Sequence, residues 1–387
     1  MIFTDVTSDS AIVTVEVEGG TVPNTQIGNV ELTFSENKHD IATITYGGFP
    51  GMAVVAYKGL PVRITIGNNE ANLIEFTGYV AYVEIESLTR MGTVNDSLIQ
   101  MAKVVCFGGS YQMKPLRNTT FSKKTIKQLT EIIASKYNFS YSVPNNKYVF
   151  PVISQQGISD WELIVNTAKQ IGYSVTAHNT HLSVYDPFSY YVKSAPITII
   201  RTLESDKGVE KTPGNIYELT GFFGDVTPQG EAVDWTLKSL DNKGKELKTS
   251  STQNTPSGLG TRLPSRFTHE LTINTTSKDS LEQYVKKYNK DSYGMTAVVK
   301  VVGISTAMPG RLVLIDSYNS EFDGYWLIEE ATHHLNEKHY ITTLKLKTDS
   351  VNRTPLTVTK DAPFKSPPPS KLSNSLWKAT TEEAYVY

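Results

Sequence analysis

The chain has 387 residues, a formal net charge of -2 at pH 7 and an apolar share of 39%. This length predicts two to four domains, because domains usually hold about 100–200 residues. The near-neutral charge argues against a dedicated nucleic-acid-binding protein, which would carry a basic excess. No run approaches the roughly 20 apolar residues of a membrane span.

The single cysteine, Cys106, makes an internal disulfide impossible and fits folding in a reducing compartment. Cys106 lies in the apolar run 104–107, so we expect a buried small hydrophobic residue rather than a nucleophile. The start of the sequence, Met1-Ile2-Phe3, lacks the basic and apolar segments of a secretory signal, and none is expected.

Residues 1–110 alternate between apolar and polar side chains, which is the period-2 pattern of half-exposed strands. Glycine pairs at 19–20 and 47–48 are expected to be turns. Many short strands at such spacing favour an antiparallel barrel. The predicted strands are 12–18, 27–34, 41–46, 61–66 and 73–86.

Residues 111–190 have a mixed α/β pattern. One helix is predicted from Ser122 or Lys123 to about Tyr137, with apolar residues at helical spacing. A second helix is predicted over 159–171. Ser159 and Glu162 form an S-x-x-E capping box at its start, and Gly172 is in the C-terminal cap position. A hairpin of 173–178 and 182–185 follows.

Residues 191–348 return to β structure around one further helix. The segment 241–266, rich in Asn, Gly, Ser, Thr, Lys and Pro, is expected to be an exposed, mobile loop. The helix is predicted over 279–291, with a buried stripe of Leu281, Tyr284, Val285 and Tyr288. The predicted strands are 197–201, 217–223, 233–239, 296–302, 311–315, 325–334 and 340–347.

The last residues, 349–387, resemble an extended arm. Prolines at 363 and 367–369 favour a polyproline-like linker. Apolar residues after the prolines could dock on a partner protein, and simple disorder is the alternative. The candidate anchors are Leu376, Trp377, Tyr385 and Tyr387.

Side chains that could support catalysis or bind a metal are sparse. His333 and His334 are expected on opposite faces of a strand, so we interpret them and His339 as surface residues of a hairpin rather than metal ligands. Asp160 and Glu162 are two apart on a helix and share no face, which disfavours a catalytic carboxylate pair. No nucleophile-elbow, zinc-protease or phosphate-loop motif occurs. We expect no catalytic residue, no metal and no cofactor.

Two segments resemble the phage late-control D family, whose members are the hub proteins of contractile-tail baseplates. That family is similar to the hub part of type VI secretion VgrG spike proteins. The first segment, 157–187, contains Ser159, Asp160, Trp161 and Glu162 and then the pair Gly172-Tyr173. The second segment, 303–346, ends in the predicted strand that begins at Tyr340. Its matching positions are Pro309, Gly310, Asp323, Gly324, Tyr325 and His334.

The resemblance implies an α+β, mostly β fold with two tail-tube-like antiparallel β-barrel domains flanking a small α/β middle domain. The domains are expected at 1–110, 111–190 and 191–348, with the C-terminal arm at 349–387. It also implies a homotrimer that forms a pseudo-hexameric ring. Such a ring would join the six-fold tail tube to a central spike and let viral DNA pass.

The implied partners are further copies of the chain, the tail tube protein, the central spike protein and other baseplate proteins, without sequence-specific nucleic acid. The implied location is the tail baseplate of a virion that is assembled in the host cytoplasm. Two alternatives stay open. One is a peptidoglycan- or carbohydrate-binding tail protein that uses its many tyrosines, and the other is a glycosidase or peptidase with an unrecognised site.

Overall fold

The computed structural model describes residues 12–18, 20–22, 27–48, 58–68, 73–89, 98–146, 148–186, 197–200, 216–223, 233–241, 243–250, 261–262, 267–273, 278–279, 281–282, 284–285, 295–316, 324–336, 339–348 and 350–351. Strands dominate these residues, and the α+β, mostly β class expected from the sequence is confirmed. None of the helices described in these ranges has the length and apolar character needed to cross a membrane.

The described residues of the first part of the chain form seven strands, followed by a 3₁₀ helix at Gly109–Met113. The alternating burial of β3 and β5 matches the period-2 pattern of the sequence. The strands are β1 (Ile12–Val17), β2 (Gly20–Val22), β3 (Ile27–Ser35), β4 (Ile41–Gly48), β5 (Pro61–Gly67), β6 (Leu73–Thr89) and β7 (Leu98–Gly108).

The middle region, defined here as residues 111–186, contains two helices that pack in one core with three short strands and a two-stranded ribbon. Both helices begin with a capping box, Thr125 with Gln128 and Ser159 with Glu162. The elements are β8 (Leu116–Thr125), α1 (Ile126–Lys136), β9 (Ser140–Ser142), β10 (Val149–Ser159), α2 (Asp160–Gln170), β11 (Ser174–His178) and β12 (His181–Tyr185).

The last part of the chain is again mostly strand. Residues 278–279, 281–282 and 284–285 are helical, and Leu281 and Val285 are buried as the sequence predicts, whereas Tyr288 lies outside the described residues. The strands are β13 (Ile197–Ile200), β14 (Ile216–Phe223), β15 (Val233–Leu240), β16 (Glu246–Ser250), β17 (Thr261–Arg262), β18 (Phe267–Thr272), β19 (Met295–Val302), β20 (Leu312–Asp316), β21 (Gly324–Asn336), β22 (Tyr340–Thr348) and β23 (Ser350–Val351).

Strands from both ends of the chain share one 13-stranded sheet. Its order is β14-β19-β22-β21-β3-β4-β7-β6-β5-β1-β2, and β20 pairs with both β13 and β21. Apart from the parallel pair β13·β20, the pairs in this sheet are antiparallel. The first and last β regions therefore form a continuous sheet across β21 and β3.

The sheet contains the same five-stranded unit twice. We call β3-β4-β7-β6-β5 the first β unit and β14-β19-β22-β21-β20 the second β unit. Both units have a register shift near the start of their first strand, between Ile27 and Asn29 and between Ile216 and Glu218. Both have a second shift in the long strand, between Val80 and Tyr82 and between Ile328 and Glu330.

A glycine turn repeats in the same place. Gly59 and Gly310 have φ values of 91° and 88° and precede β5 and β20 by the same spacing. Their backbone N–H groups donate to the carbonyls of Val80 and Ile328, at 2.7 and 3.3 Å. The positions buried in both cores then correspond in register: Ala42 with Ala297, Ile44 with Val299, Val62 with Val313, Ile64 with Ile315, Val80 with Ile328, Val104 with Leu344, and Cys106 with Leu346.

Three expectations from the sequence were wrong in detail. The first helix begins at Ile126 rather than at Ser122 or Lys123, because the preceding residues pair as β8 with β10. The predicted loop 241–266 contains β16, which pairs with β15. The glycine pair 47–48 continues β4 against β7 instead of turning.

Candidate functional site: the seam between the two β units

The two β units meet where β21 pairs with β3, and we call this pairing the seam. The first half of β21 pairs with β20, and the second half, Glu330–Asn336, pairs with Asn29–Ser35 of β3. The hydroxyl oxygens of Thr33 and Thr332 lie 3.2 Å apart across the seam. Each unit therefore completes one edge of the other, which removes two exposed strand edges.

Glu330 joins three strands at one end of the seam. Its carboxylate accepts hydrogen bonds from the Ser35 hydroxyl at 3.0 Å and the Lys38 ammonium at 3.4 Å, and it pairs with Lys345 at 2.5 Å. Burial raises the pKa of Glu330, but the hydrogen bonds from Lys345 and Ser35 outweigh burial and hold the pKa below its ordinary value. Glu330 is therefore ionised at neutral pH and ties β21 to β3 and β22.

His333 lies in the interior of the seam and is fully buried. Its Nε2 lies 2.9 Å from the Ala307 carbonyl oxygen, and its Nδ1 lies 2.9 Å from the Tyr340 hydroxyl. Burial lowers the pKa of His333 to about 4, so the ring is neutral at pH 7. A carbonyl only accepts, so Nε2–H donates to Ala307 and Nδ1 accepts from Tyr340. The ring also contacts Phe34 of β3 edge-on, with centroids 5.7 Å apart.

The interpretation of the three histidines as surface residues was wrong for His333. His334 is half-buried, and His339 is exposed. Within the described ranges, no group of three or more His, Cys, Asp or Glu side chains is arranged to hold a metal ion.

The turn between β3 and β4, residues 36–40, reaches from the seam into the middle region. Glu36 is buried and accepts hydrogen bonds from the Tyr185 hydroxyl at 2.9 Å, the Ser174 hydroxyl at 3.1 Å and the Lys347 ammonium at 2.9 Å. One carboxylate thus connects the first β unit, the second β unit and the middle region.

Backbone contacts fix the same turn against the hairpin β11–β12. The N–H of Asn37 donates to the Val175 carbonyl at 2.7 Å, and the Asn37 side-chain oxygen accepts from the Val175 N–H at 3.0 Å.

A second contact joins the end of the same hairpin to β6. The Asn179 side-chain oxygen accepts from both the N–H and the hydroxyl of Thr77, at 2.9 and 3.1 Å. The middle region is therefore held to the first β unit by paired, buried polar groups.

The first family-motif segment places Ser159 and its neighbours at the start of α2. Asp160 is buried there and accepts from Lys136 at 2.5 Å, Tyr137 at 2.7 Å and Gln155 at 2.8 Å. Burial raises the pKa of Asp160, but these hydrogen bonds outweigh burial and lower the pKa below its ordinary value. A carboxylate so occupied by its neighbours serves packing of the middle region rather than proton transfer.

The other residues of this segment also have structural partners. Glu162 accepts from the backbone and hydroxyl of Ser159, and the N–H bond from Ser159 lowers the pKa of Glu162. Trp161 is buried in the middle-region core, with its ring 5.0 Å from that of His39 in the β3–β4 turn. Gly172 has a φ of 71° just after α2, as its predicted cap position requires.

The second segment places Pro309 and Gly310 in the turn before β20. Gly324 begins β21 with a φ of 119°, and Tyr325 is buried in a small cluster with Tyr185 of the middle region. Asp323 and the arm anchors Leu376, Trp377, Tyr385 and Tyr387 lie outside the described residues. The sequence did not single out Glu36 or Lys347, and it indicated a surface position for His333, because a single polar residue carries no local signal of burial.

Cys106 is buried in the first β unit, and burial raises the pKa of its thiol to about 12. A nucleophilic cysteine needs a lowered pKa and access to substrate. Cys106 is therefore a core residue, as the sequence predicts.

Comparison with known proteins gives matches in structure alone. No family model matches the chain, and no curated protein matches it. The tail protein from Neisseria meningitidis MC58 aligns over 88% of this chain and 98% of its own, at 15% identity and a TM-score of 0.62. The 43 kDa tail protein of prophage MuSo2 from Shewanella oneidensis aligns over 87% and 98%, at 15% identity and a TM-score of 0.60.

The E. coli c3393 protein, a component of the type VI secretion system with structural similarity to the T4 phage tail proteins gp27 and gp5, aligns over 88% of this chain and 79% of its own. Its identity is 11% and its TM-score is 0.54. The chain thus has a fold found in phage tail and type VI secretion proteins, the group that the sequence resemblance indicates.

Proposed function

We propose that the chain is a structural hub subunit of a phage tail baseplate or a related injection particle. Three copies form a pseudo-hexameric ring that joins a six-fold tail tube to a central spike, with other baseplate proteins around it. The ring lets viral DNA pass and belongs to a virion assembled in the host cytoplasm. The protein acts by shape and rigidity, not by catalysis.

The observation that carries this proposal is the repeated β unit. The two units share strand order, both register shifts and the glycine turn. A chain with two equivalent units offers six units per trimer, which is the number that a six-fold tube requires. The likeness in fold to solved tail proteins supports the same conclusion.

Within this proposal the tube-like domains are residues 1–110 and 191–348, the middle domain is 111–190 and the arm is 349–387. The hydrophobic cores support this division, because one core contains only residues from Met113 to Val184. The first core extends across the seam to Leu335 and Tyr340. Rigid coupling of this kind suits a subunit that must hold a ring while cargo passes.

A non-catalytic role is supported by the side chains that could otherwise act as acids, bases or nucleophiles. Asp160, Glu36 and Glu330 are each bound by neighbouring donors, and Cys106 is buried. The near-zero net charge also suits a conduit, because tight phosphate binding would stall DNA. A zymogram of the full chain on cell wall should show no clearing, and a clear band would contradict this part of the proposal.

The ring can be tested by light scattering and negative-stain microscopy of the full chain, alone and mixed with the tail-tube subunit of the same particle. We expect a species of about 129 kDa, three times the 42.9 kDa chain, with six similar lobes. A monomer that persists in the presence of the tube subunit would overturn the proposal.

The alternative of a glycan-binding tail protein rests on the tyrosines of the middle region. Every aromatic side chain described between residues 111 and 186 is buried or half-buried, which leaves little exposed ring surface for stacking on a sugar. Pulldown of the full chain on purified peptidoglycan would favour the alternative if binding were saturable and competed by soluble glycan.

A further inference from the structure

The second half of β6 presents a strand edge that no other strand of the described residues pairs with. β5 pairs with Leu73–Tyr79 only, and β7 pairs with the opposite edge of β6 as far as Thr89. Across the part of the chain that the structure describes, no strand pairs with the remaining edge of Tyr82–Thr89. β14 similarly ends the 13-stranded sheet with one edge open, within the same described residues.

These two open edges correspond to the two sides of the seam. In register, β6 of the first unit is the equivalent of β21, so Tyr82 corresponds to Glu330 and Ile85 to His333. β14 of the second unit is the equivalent of β3, so Ile216 corresponds to Ile27. The chain thus makes one seam, β21 with β3, and retains both halves of a second.

One chain does not close this second seam itself. β6 and β14 are separated by six strands in the sheet order and do not pair with each other. A second copy of the chain supplies the missing strand with the required geometry, because the intrachain seam already shows how the two strand types pair.

We propose that β6 of one copy pairs antiparallel with β14 of the next, in the register of the intrachain seam. This inference rests on the ring proposed above and names the surface that closes it. Transferring the pairs of β21 and β3 onto β6 and β14 gives the contacts Val83 with Phe223, Glu84 with Phe222, Ile85 with Gly221, Glu86 with Thr220, Ser87 with Leu219 and Leu88 with Glu218.

The exposure of two apolar residues supports this pairing. Ile85 is 62% exposed and Tyr82 is 52% exposed in the single chain. The seam equivalent of Ile85, His333, is 0% exposed, and Phe34 of β3 contacts its ring together with Ala307 and Tyr340. Exposed apolar residues beside an open strand edge are typical of an interaction surface, and the pairing would bury Ile85 as the seam buries His333.

The contact joins different surfaces of the two copies, β6 on one and β14 on the other. Such a head-to-tail contact repeats around a ring until it closes. With three copies, three intrachain seams and three intersubunit seams alternate. Each β unit of the ring is then joined to the next by the same kind of antiparallel strand pairing, within a chain and between chains.

Engineered disulfides test the register. Facing residues on antiparallel strands have Cα atoms about 4.5–5.5 Å apart, within the range that a disulfide spans. The double variant Glu86→Cys with Thr220→Cys should therefore give covalent dimers and trimers on oxidation, reversed by a reductant. The matched control, Ser87→Cys with Thr220→Cys, slips by one residue and directs the thiols to opposite faces, so it should give at least about tenfold less product.

A charge placed on the proposed surface tests its burial. Ile85→Lys should weaken assembly at least about tenfold, because the ammonium would be buried without a partner. The control is Ile132→Lys on α1, which is 40% exposed and outside both seams, and it should assemble like the wild type. Unchanged urea unfolding of both variants as dilute monomers would show that folding is intact.

The outcomes separate this inference from the proposed function. If the wild type forms trimers but the slipped pair crosslinks as well as the predicted pair, or Ile85→Lys assembles normally, the pairing is wrong and the hub stands. If the wild type stays monomeric with its tube subunit, the hub and this pairing both fail.

Discussion

The two β units have the same strand order and register, but the equivalent strands β21 and β6 differ within one chain. The second half of β21 pairs with β3 in the seam, whereas no strand of the described residues pairs with the same edge of β6. In the second unit the polar His333 is fully buried, whereas its equivalent in the first unit, the apolar Ile85, is 62% exposed. This reverses what hydrophobicity alone predicts. The comparison teaches that a residue on a strand is buried or exposed according to whether another strand covers it.

The largest expected effect comes from breaking the buried ion pair between Lys347 and Glu36, next to the seam. Lys347 is 12% exposed and its partner Glu36 is 2% exposed. Lys347→Met leaves a buried carboxylate without its counter-charge, so we expect a loss of about 3–5 kcal/mol in the free energy of unfolding. Urea unfolding measures this loss. The control is Lys345→Met, because Lys345 is 54% exposed and its pair should contribute at most about 1 kcal/mol; equal losses would contradict the role of Glu36.

The next effect compares the equivalent positions directly. His333→Ala removes two hydrogen bonds and leaves a cavity, which should cost about 2–4 kcal/mol. Ile85→Ala changes an exposed side chain and should cost under about 1 kcal/mol in the dilute monomer. Chemical unfolding below the assembly concentration measures both. Similar losses of unfolding free energy in the two variants would mean that Ile85 of β6 is already buried within one chain.

A smaller effect sharpens the equivalence of the two units. Gly59→Ala and Gly310→Ala each place a Cβ on a left-handed residue in the same turn, so each should cost about 1–2 kcal/mol. No atom lies within 4 Å of a Cβ added at Gly59, so the cost there is backbone strain rather than collision. Thermal unfolding of the two variants should give losses within about 0.5 kcal/mol of each other. A neutral Gly59→Ala would show that the turns are not equivalent.

The smallest effect lies outside both units and depends on pH. The pKa of Asp160 is lowered from its ordinary value of 3.8, so the folded state holds this proton less tightly than the unfolded chain. Its contribution is therefore complete above about pH 4 and is lost as the pH falls through the lowered pKa. The cationic partner of Asp160, Lys136, is 37% exposed, so Asp160→Asn should cost about 1 kcal/mol at pH 7 and converge with the wild type under acid conditions.

Urea midpoints between pH 7 and about 2.5 would follow this convergence. The control is Glu18→Gln, which changes an exposed carboxylate in the turn after β1 and should leave the stability at pH 7 within about 0.5 kcal/mol of the wild type. An Asp160→Asn curve parallel to that of the wild type would contradict the assigned role of Asp160.

Local signals in the sequence predict an element well when residues close to it in the chain determine where it begins and ends. The helix α2 begins and ends as its capping box and Gly172 predict. By contrast β8 was missed, because nearly all of its side chains are exposed and no alternation marks the strand. Its pairing with β10 depends on residues more than twenty positions away.

The seam was not predictable from the sequence for two physical reasons. Some equivalent positions are identical, as Ala42 and Ala297 are, but others, such as Cys106 and Leu346, share only their burial, so the repeated unit becomes clear in the pairing register. The shift between Ile328 and Glu330 also changes which residues of β21 face inward. The histidine that matches the family motif is His334, whereas the histidine buried in this strand is His333.

The connection after the first strand differs greatly between the two units. In the first unit residues 36–40 are bonded to the middle region, whereas in the second unit residues 224–294 lie between β14 and β19 and carry β15 to β18. Closing the longer loop costs only about 2 kcal/mol more than closing the short one. In the repeated unit, one version of this connection is thus short and held by its contacts, and the other is long enough to carry further strands. Diversification between relatives should therefore concentrate in residues 224–294, where an added module leaves the shared sheet intact.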